Sequence, residues 1–434
     1  MTAMAAIHPL FDTPLPIGWQ LVTVDDIKSA EKSSCVAGPF GSNISSKFFT
    51  ESGVPIIRGS NLRDDLTRFV PEGFAFVTEE QAKQYKAQHV RAGDLVFTCW
   101  GTIGQVGLIP RNGPFPEYII SNKQLKLRTN LEIADPVYLF FYFAGPEMVR
   151  HVLGKAIGAA VPGINLGILK ELPVVLPPLP VQRRIASILS AYDDLIENNQ
   201  RRIRILETMA RALYREWFVH FRYPGHENHP RVASPLGEIP KGWVVKPLAD
   251  VAQVNRAQIS ARTAPEEVHY IDISSVSPGR IDLTTTYDYA DAPGRARRIV
   301  QHGDVLWSCV RPNRRSHALA MRPDPNTIAS TGFAVLTPTK VPFTFLYFAT
   351  TTDDFVAFLT NNATGAAYPA VTAATFERAD LLVPPPALLK KFGDATTPMA
   401  EQIHALQDQI QNLRRTRDLL LPRLLSGQVT LTAA

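Results

Sequence analysis

The chain repeats itself. LPIGWQLVTVDDI at 15–27 returns as IPKGWVVKPLADV at 239–251, and VRAGDLVFTC at 90–99 returns as VQHGDVLWSC at 300–309. GAAVPGIN at 158–165 recurs as GAAYPAVT at 365–372, and VVLPPLP at 174–180 as LLVPPPA at 381–387. The offset drifts from 224 through 210 to 207, as it does when two copies of one domain differ by loop insertions and deletions. A tandem duplication of about 210 residues dictates two like domains, and a chain of 434 residues that is 45% hydrophobic can give each its own core.

Both copies share an internal order. A Gly-Trp turn precedes a short apolar segment, Gly- and Pro-punctuated runs read as short strands, and a Gly-Asp turn leads into a β-branched and aromatic strand. Pro177-Pro178 or Pro384-Pro385-Pro386 then ends the globular part, and a long helical pattern follows. In copy one the apolar positions step by four and three through Ile185, Leu189, Tyr192, Ile196, Ile203, Leu206, Ala210, Leu213 and Trp217, with Asn199 polar in its place. The positions 207 residues on are Phe392, Thr396, Met399, Ile403, Leu406, Ile410, Leu413, Arg417, Leu420 and Leu424. Thr396 and Arg417 interrupt that second seam.

Two narrow seams with a 3.5-residue period predict a coiled coil, the alternative being that each helix packs on its own domain. At about 38 residues each helix is a rod of roughly 57 Å, and because each follows its globular domain the pair is expected to be antiparallel. The expected fold class is α+β: two tandem mixed α/β domains separated by two long helices that pair as an antiparallel coiled coil, in a pseudo-twofold internal repeat. The boundaries fall at 1–175 for the first domain, 176–222 for the central helix, 223–236 for a linker, 237–383 for the second domain and 384–434 for the C-terminal helix.

Other classes are excluded by composition. Charged residues are only 20% and no low-complexity tract stands out, so disorder is not expected. The N-terminus has no basic region followed by an apolar stretch, and the longest greasy run, 137–145, is too short to span a bilayer. Cys35, Cys99 and Cys309 are an odd, widely spaced set, fitting neither a disulfide framework nor a metal knuckle. A cytoplasmic protein is expected. A net charge of +5 points only weakly to a polyanionic partner until the charge is located.

Catalytic motifs are missing. The sequence has neither G-x-G-x-x-G nor G-x-x-x-x-G-K-[ST], no acidic-Lys nuclease signature after a Pro-Asp pair, and no Asn-Pro-Pro or Asp-Pro-Pro methyltransferase motif. No catalytic residue and no metal site is expected. His226 and His229 sit in YPGHENHP, where a solvated linker is the simpler reading. The glycines at 101, 104 and 107 could offer backbone amides to a phosphate or simply form a turn beside a strand. Cys99 and Cys309 end apolar strand-like runs and read as inert core thiols.

The basic residues cluster. Copy one has Lys47, Arg58, Asn61, Arg63 and Arg68, then Trp100, Thr102, Asn122 and Lys123. Copy two has Arg295, Arg297 and Arg298, then Arg311, Asn313, Arg314, Arg315 and His317. Arg and Lys suit phosphates, Arg suits guanine and Asn suits adenine, so these residues are the DNA-binding candidates; the alternative for each is a solvated charged surface. Arg201, Arg202 and Arg204 lie on the helix, where solvated faces are the rule.

With these features together, the sequence resembles the specificity subunit of type I restriction-modification systems. The resemblance is carried by PLPIGW (14–19) and GEIPKGW (237–243), GPFGSN (38–43), SGVPIIRGSNL (52–62), GDLVFTCWGTIG (93–104) and the helical stretch 176–221. It implies two target recognition domains that each read half of a bipartite double-stranded DNA site, with helices that act as a ruler and dock two modification subunits, which restriction subunits join. S-adenosylmethionine and ATP with magnesium would be used by those partners, with no cofactor in this chain. VRPNRR (310–315) replaces WGTIGQ (100–105), which argues for different half-sites. A coiled-coil scaffold joining two protein-binding domains without DNA contact is the alternative, and an RNA-binding protein a third reading.

Overall fold

The computed structural model describes residues 6–158, 162–235 and 237–431. Residues 159–161 of the GAAVPGIN segment, Leu236 of the linker and the outermost residues of both termini lie outside them. The chain divides into two compact units, Met1–Asn198 with Ile410–Ala434, and Asn199–Gln409.

The units share one strand order. Unit 1 has an antiparallel sheet ordered Cys35–Ala37, Gln124–Leu127, Leu95–Thr98, Val106–Leu108, and unit 2 has the sheet Ala252–Val254, Phe333–Pro338, Val305–Ser308, His317–Leu319. A second, mixed sheet runs Ala75–Val77, Val54–Ile57, Tyr118–Ile120, His89–Val90 in unit 1 and Thr285–Asp288, Glu267–Ile271, Thr327–Ser330, Ala296–Ile299 in unit 2. Its central pair is parallel in both units. Each also has a two-stranded ribbon, Gln20–Thr23 with Pro173–Leu176 and Val244–Pro247 with Asp380–Val383, and unit 2 adds Arg231–Ser234 with Gly237–Pro240 and Val276–Ser277 with Arg280–Ile281.

The repeated Gly-Asp turns have a physical cause. Gly93 and Gly303 take φ of 89° and 86°, a left-handed conformation that costs glycine nothing. The following aspartate then closes the turn: Asp94 accepts the Arg91 amide at 2.9 Å and Asp304 the Gln301 amide at 2.7 Å. Each turn delivers a strand buried along its whole length, Leu95–Thr98 or Val305–Ser308. The greasy run 137–145 is a core helix, Pro136–Ala144, capped by the Asp135 side chain. Among the described residues no helix is long and apolar enough to cross a membrane.

Both long helices are present, Leu179–Tyr214 and Pro386–Leu425. The first passes into a π-helical turn at Arg215–Val219, and the second ends at Leu425, short of the expected 434, because Ser426 is followed by Gly427 at φ 74°. Within unit 2 the Tyr214 ring lies 6.0 Å from Phe392 while Asn199 bonds Gln409, so the helices run antiparallel. Both packing alternatives raised by the sequence hold at once. In unit 1 Ile185, Leu189, Leu421 and Leu424 join the same apolar core as Tyr138 and Phe141, and in unit 2 Ala210, Tyr214, Leu389 and Phe392 join that of Trp307 and Phe345. The seam therefore pairs with its partner helix and with a globular core, and each unit contains part of both helices. Tyr192, Ile203, Leu206, Leu213, Met399, Ile403, Leu413 and Leu420 are half-buried along it, whereas Ile196, Leu406 and Ile410 are buried.

Candidate nucleic-acid interface

In unit 1 the strand Leu95–Thr98 leads through Cys99 to Trp100, which is 41% exposed. The Cys99 amide donates to the Lys123 carbonyl at 2.8 Å and its carbonyl accepts the Ile164 amide at 2.9 Å. Trp100 pairs with Gly163, against which its ring lies so closely that a Cβ there would stand 2.3 Å from it. Beside Trp100 opens a cleft of about 530 Å³, lined among others by Phe49, Arg58, Thr102, Asn122 and Lys123. The Arg58 guanidinium sits 5.9 Å from the centre of the Phe49 ring, and Asn122 donates to the Gly41 carbonyl at 3.0 Å. The cleft thus combines two cations, two aromatic faces and an amide, a set able to hold phosphate and meet base edges.

Unit 2 builds the equivalent place differently. The Cys309 amide donates to Gly332 at 2.8 Å and the Cys309 carbonyl accepts from Val371 at 2.9 Å, and Val310 pairs with Ala370 as Trp100 does with Gly163. Next comes a single 3-10 turn, Pro312–Arg314, bracketed by Arg311 and Arg315 in left-handed backbone at φ 50° and 56°. The Arg311 guanidinium is 4.6 Å above the Tyr368 ring and donates to the Ala367 carbonyl at 3.1 Å. Arg315 is ion-paired to Asp353, while Asn313 and Arg314 are exposed.

Not every candidate side chain reaches these places. Lys47 and Arg63 are exposed on the turns flanking the unit 1 cleft, Lys47 with its ammonium 4.7 Å from the Phe48 ring. Asn61 is wholly buried, accepting from the Arg58 amide and donating to the Val70 and Glu72 carbonyls, so it shapes the loop and meets no solvent. Arg68 is turned toward Asp193 and Asp194 of the first long helix. His317 is buried in its strand between the rings of Trp307 and Tyr347, and burial lowers its pKa to about 4. Arg297 donates to the Tyr289 hydroxyl at 3.0 Å, Arg298 reaches Gln258 at 3.5 Å, and Arg295 is exposed.

Sequence reasoning missed Tyr368, which is 69% exposed, and Phe49. The tyrosine stands at the point where GAAYPAVT departs from GAAVPGIN, which was the available signal. The thiols of Cys99 and Cys309 are pushed up by burial to about 11. His226 and His229 are tied to the Tyr223 and Lys241 carbonyls at 2.8 and 2.7 Å.

Residues 16–208 match the family described as the type I restriction modification DNA specificity domain. The chain is 23% identical to the type I restriction enzyme MjaIX specificity subunit of Methanocaldococcus jannaschii, over 96% of this chain and 94% of that one. Over nearly its whole length the chain is similar to a type I restriction enzyme specificity subunit. A second specificity subunit, HindI of Haemophilus influenzae, is 21% identical over 72% of this chain and 81% of its own. The crystal structure of the type I restriction-modification S subunit from M. genitalium shares the fold, with a TM-score of 0.60 at 15% identity, covering 96% of this chain and 99% of that chain. The two units present one scaffold with unlike side chains, Trp100 and Thr102 in one and Arg311, Asn313 and Arg314 in the other.

Proposed function

We propose that this chain is the specificity subunit of a type I restriction-modification complex, its non-catalytic sequence reader, each unit reading one half of a bipartite site in double-stranded DNA. One observation carries the reading. The same strand, in the same register of the same sheet, delivers to the surface an exposed cationic and aromatic loop in both units, and the side chains on that loop differ. Identical scaffolds with different tips are what two different half-sites require, because phosphates position a protein while side chains at base edges specify sequence. Arg58, Lys123 and Arg63 supply phosphate contacts; Trp100, Asn122, Arg311, Asn313 and Arg314 face the bases.

The partners are two modification subunits and the restriction subunits, which use S-adenosylmethionine and ATP with magnesium. This chain contributes recognition and a docking surface on its long helices. Titrating the full chain with duplex DNA at several salt concentrations tests the reading: affinity should fall linearly with salt on log-log axes. A scaffold that never touches DNA would show no binding to titrate. The purified chain should also cleave no DNA, hydrolyse no ATP and transfer no methyl group by itself, and methyl transfer by a contaminant-free preparation would contradict the assignment.

A further inference from the structure

Arg417 puts a charge into the seam of the C-terminal helix. Its counterpart 207 residues earlier is Ala210, and a guanidinium among seam residues is costly unless its charge is matched. Arg417 is 5% exposed, and each of its three guanidinium nitrogens makes a hydrogen bond within unit 1. Nη1 donates to Asp193 at 2.8 Å, Nε to Asp418 at 3.0 Å, and Nη2 to the Asp65 carbonyl at 3.4 Å. Asp193 also faces Arg68, whose Nε is 3.4 Å away; Arg68 Nη1 lies 3.6 Å from Asp194, with its guanidinium 5.8 Å from the Phe141 ring.

Arg68 and Asp65 belong to the loop that carries Arg58 and Arg63. Asn61 closes one end of that loop, the Arg68 carbonyl accepts the Leu108 amide at 2.8 Å, and Gln105 of the cleft donates to the Leu62 carbonyl at 3.3 Å. The far end of a cleft-lining loop is therefore held to both long helices through three side chains, Arg68, Asp193 and Arg417. Among the described residues unit 2 has no such clasp. The counterparts of Arg417, Asp193 and Phe141 are Ala210, Ala400 and Phe348, and these three line a small cavity of about 60 Å³.

We infer that Arg417 is a positioning residue for unit 1 alone: through Asp193 and Arg68 it holds the loop bearing Arg58 and Arg63 where it meets DNA, so recognition of one half-site depends on a residue of the C-terminal helix. The inference rests on the DNA reading proposed above. The informative variant is the double substitution Arg417→Ala with Asp193→Ala, which gives unit 1 the alanine pair that unit 2 carries natively and leaves no unmatched charge in the seam.

The full chain and its variants are incubated with a randomised duplex DNA library, and the bound molecules are sequenced. The half-site weakened by Arg311→Ala marks unit 2, and the other belongs to unit 1. The double variant should lose at least about fivefold in enrichment of unit 1's half-site, with unit 2's half-site and binding to random DNA unchanged. Arg417→Lys, which keeps the charge beside Asp193, should retain most of the preference. Both half-sites intact in the double variant, or both weakened together, would overturn the positioning role while leaving the DNA reading in place. A wild-type chain that enriches no motif overturns the DNA reading and this inference with it.

Discussion

Asn199 of the first long helix donates its side-chain amide to Gln409 of the second at 3.2 Å, beside the buried Leu406. Asn199 is a buried seam residue and Gln409 an exposed one beside the seam; such a buried amide gains little stability over an apolar side chain, but it penalises every register in which it is left without its partner. Asn199→Leu should therefore leave thermal stability unchanged or raise it by about 1 kcal/mol, while engineered cysteines along the two helices cross-link in more than one register. A loss above about 2 kcal/mol would show the pair to be a net stabiliser.

The Arg311 guanidinium is oriented in advance by Tyr368 and the Ala367 carbonyl, and Arg314 is exposed one turn on. A bidentate base contact by either is worth about 1–3 kcal/mol of discrimination. Arg311→Ala and Arg314→Ala should weaken one half-site by that amount in competition binding, leaving the other half-site unaffected. A uniform loss on specific and random DNA would reassign them to phosphate.

Lys123 makes no side-chain hydrogen bond or ion pair among the described residues, and its ammonium flanks the unit 1 cleft. A point charge of this kind neutralises one phosphate. Lys123→Ala should lower affinity for all duplex sequences alike and reduce the salt slope by about one. A slope identical to that of the wild type would remove Lys123 from the interface.

Acid sensitivity follows from two buried histidines. Burial lowers the pKa of His8, against the pull of the Leu425 carbonyl, to about 4, and that of His317, aided by Arg211 and Arg315, also to about 4. The unfolded chain, with histidine near 6.5, binds more protons than the folded one between those values, so this stability is complete above pH 6.5 and is lost as pH falls toward 4. His317→Phe, which keeps a ring between Trp307 and Tyr347, should flatten the pH dependence of denaturant stability over that window by at most about 1.4 kcal/mol per pH unit. An unchanged slope would show that His317 is not titrating there.

The duplication, the Gly-Asp turns and the heptad seams were legible because each is a local pattern with a fixed period. The candidate residues were legible only as residue types. Asn61, Arg68 and His317 looked like surface candidates, yet one is spent on its own loop, one on the long helix and one beneath Trp307, and those fates depend on strand register and on contacts with residues far away in sequence. Arg417 looked like a flaw in a seam. Its partner Asp193 lies 224 residues away, and no spacing rule links them. Tyr368 was hidden for the same reason, since only the pairing of Val310 with Ala370 brings it beside Arg311.

Whether this chain selects a two-part DNA site for its complex is tested most directly by single-molecule sequencing of methylated adenines in the source genome, before and after deletion of the gene and after its return with Arg311→Ala. The expected result is one methylated motif of two half-sites with a fixed gap, lost on deletion, restored by the wild-type gene, and relaxed in a single half-site by the variant. Methylation that is unchanged by deletion, or a motif that the variant restores in full, would contradict it.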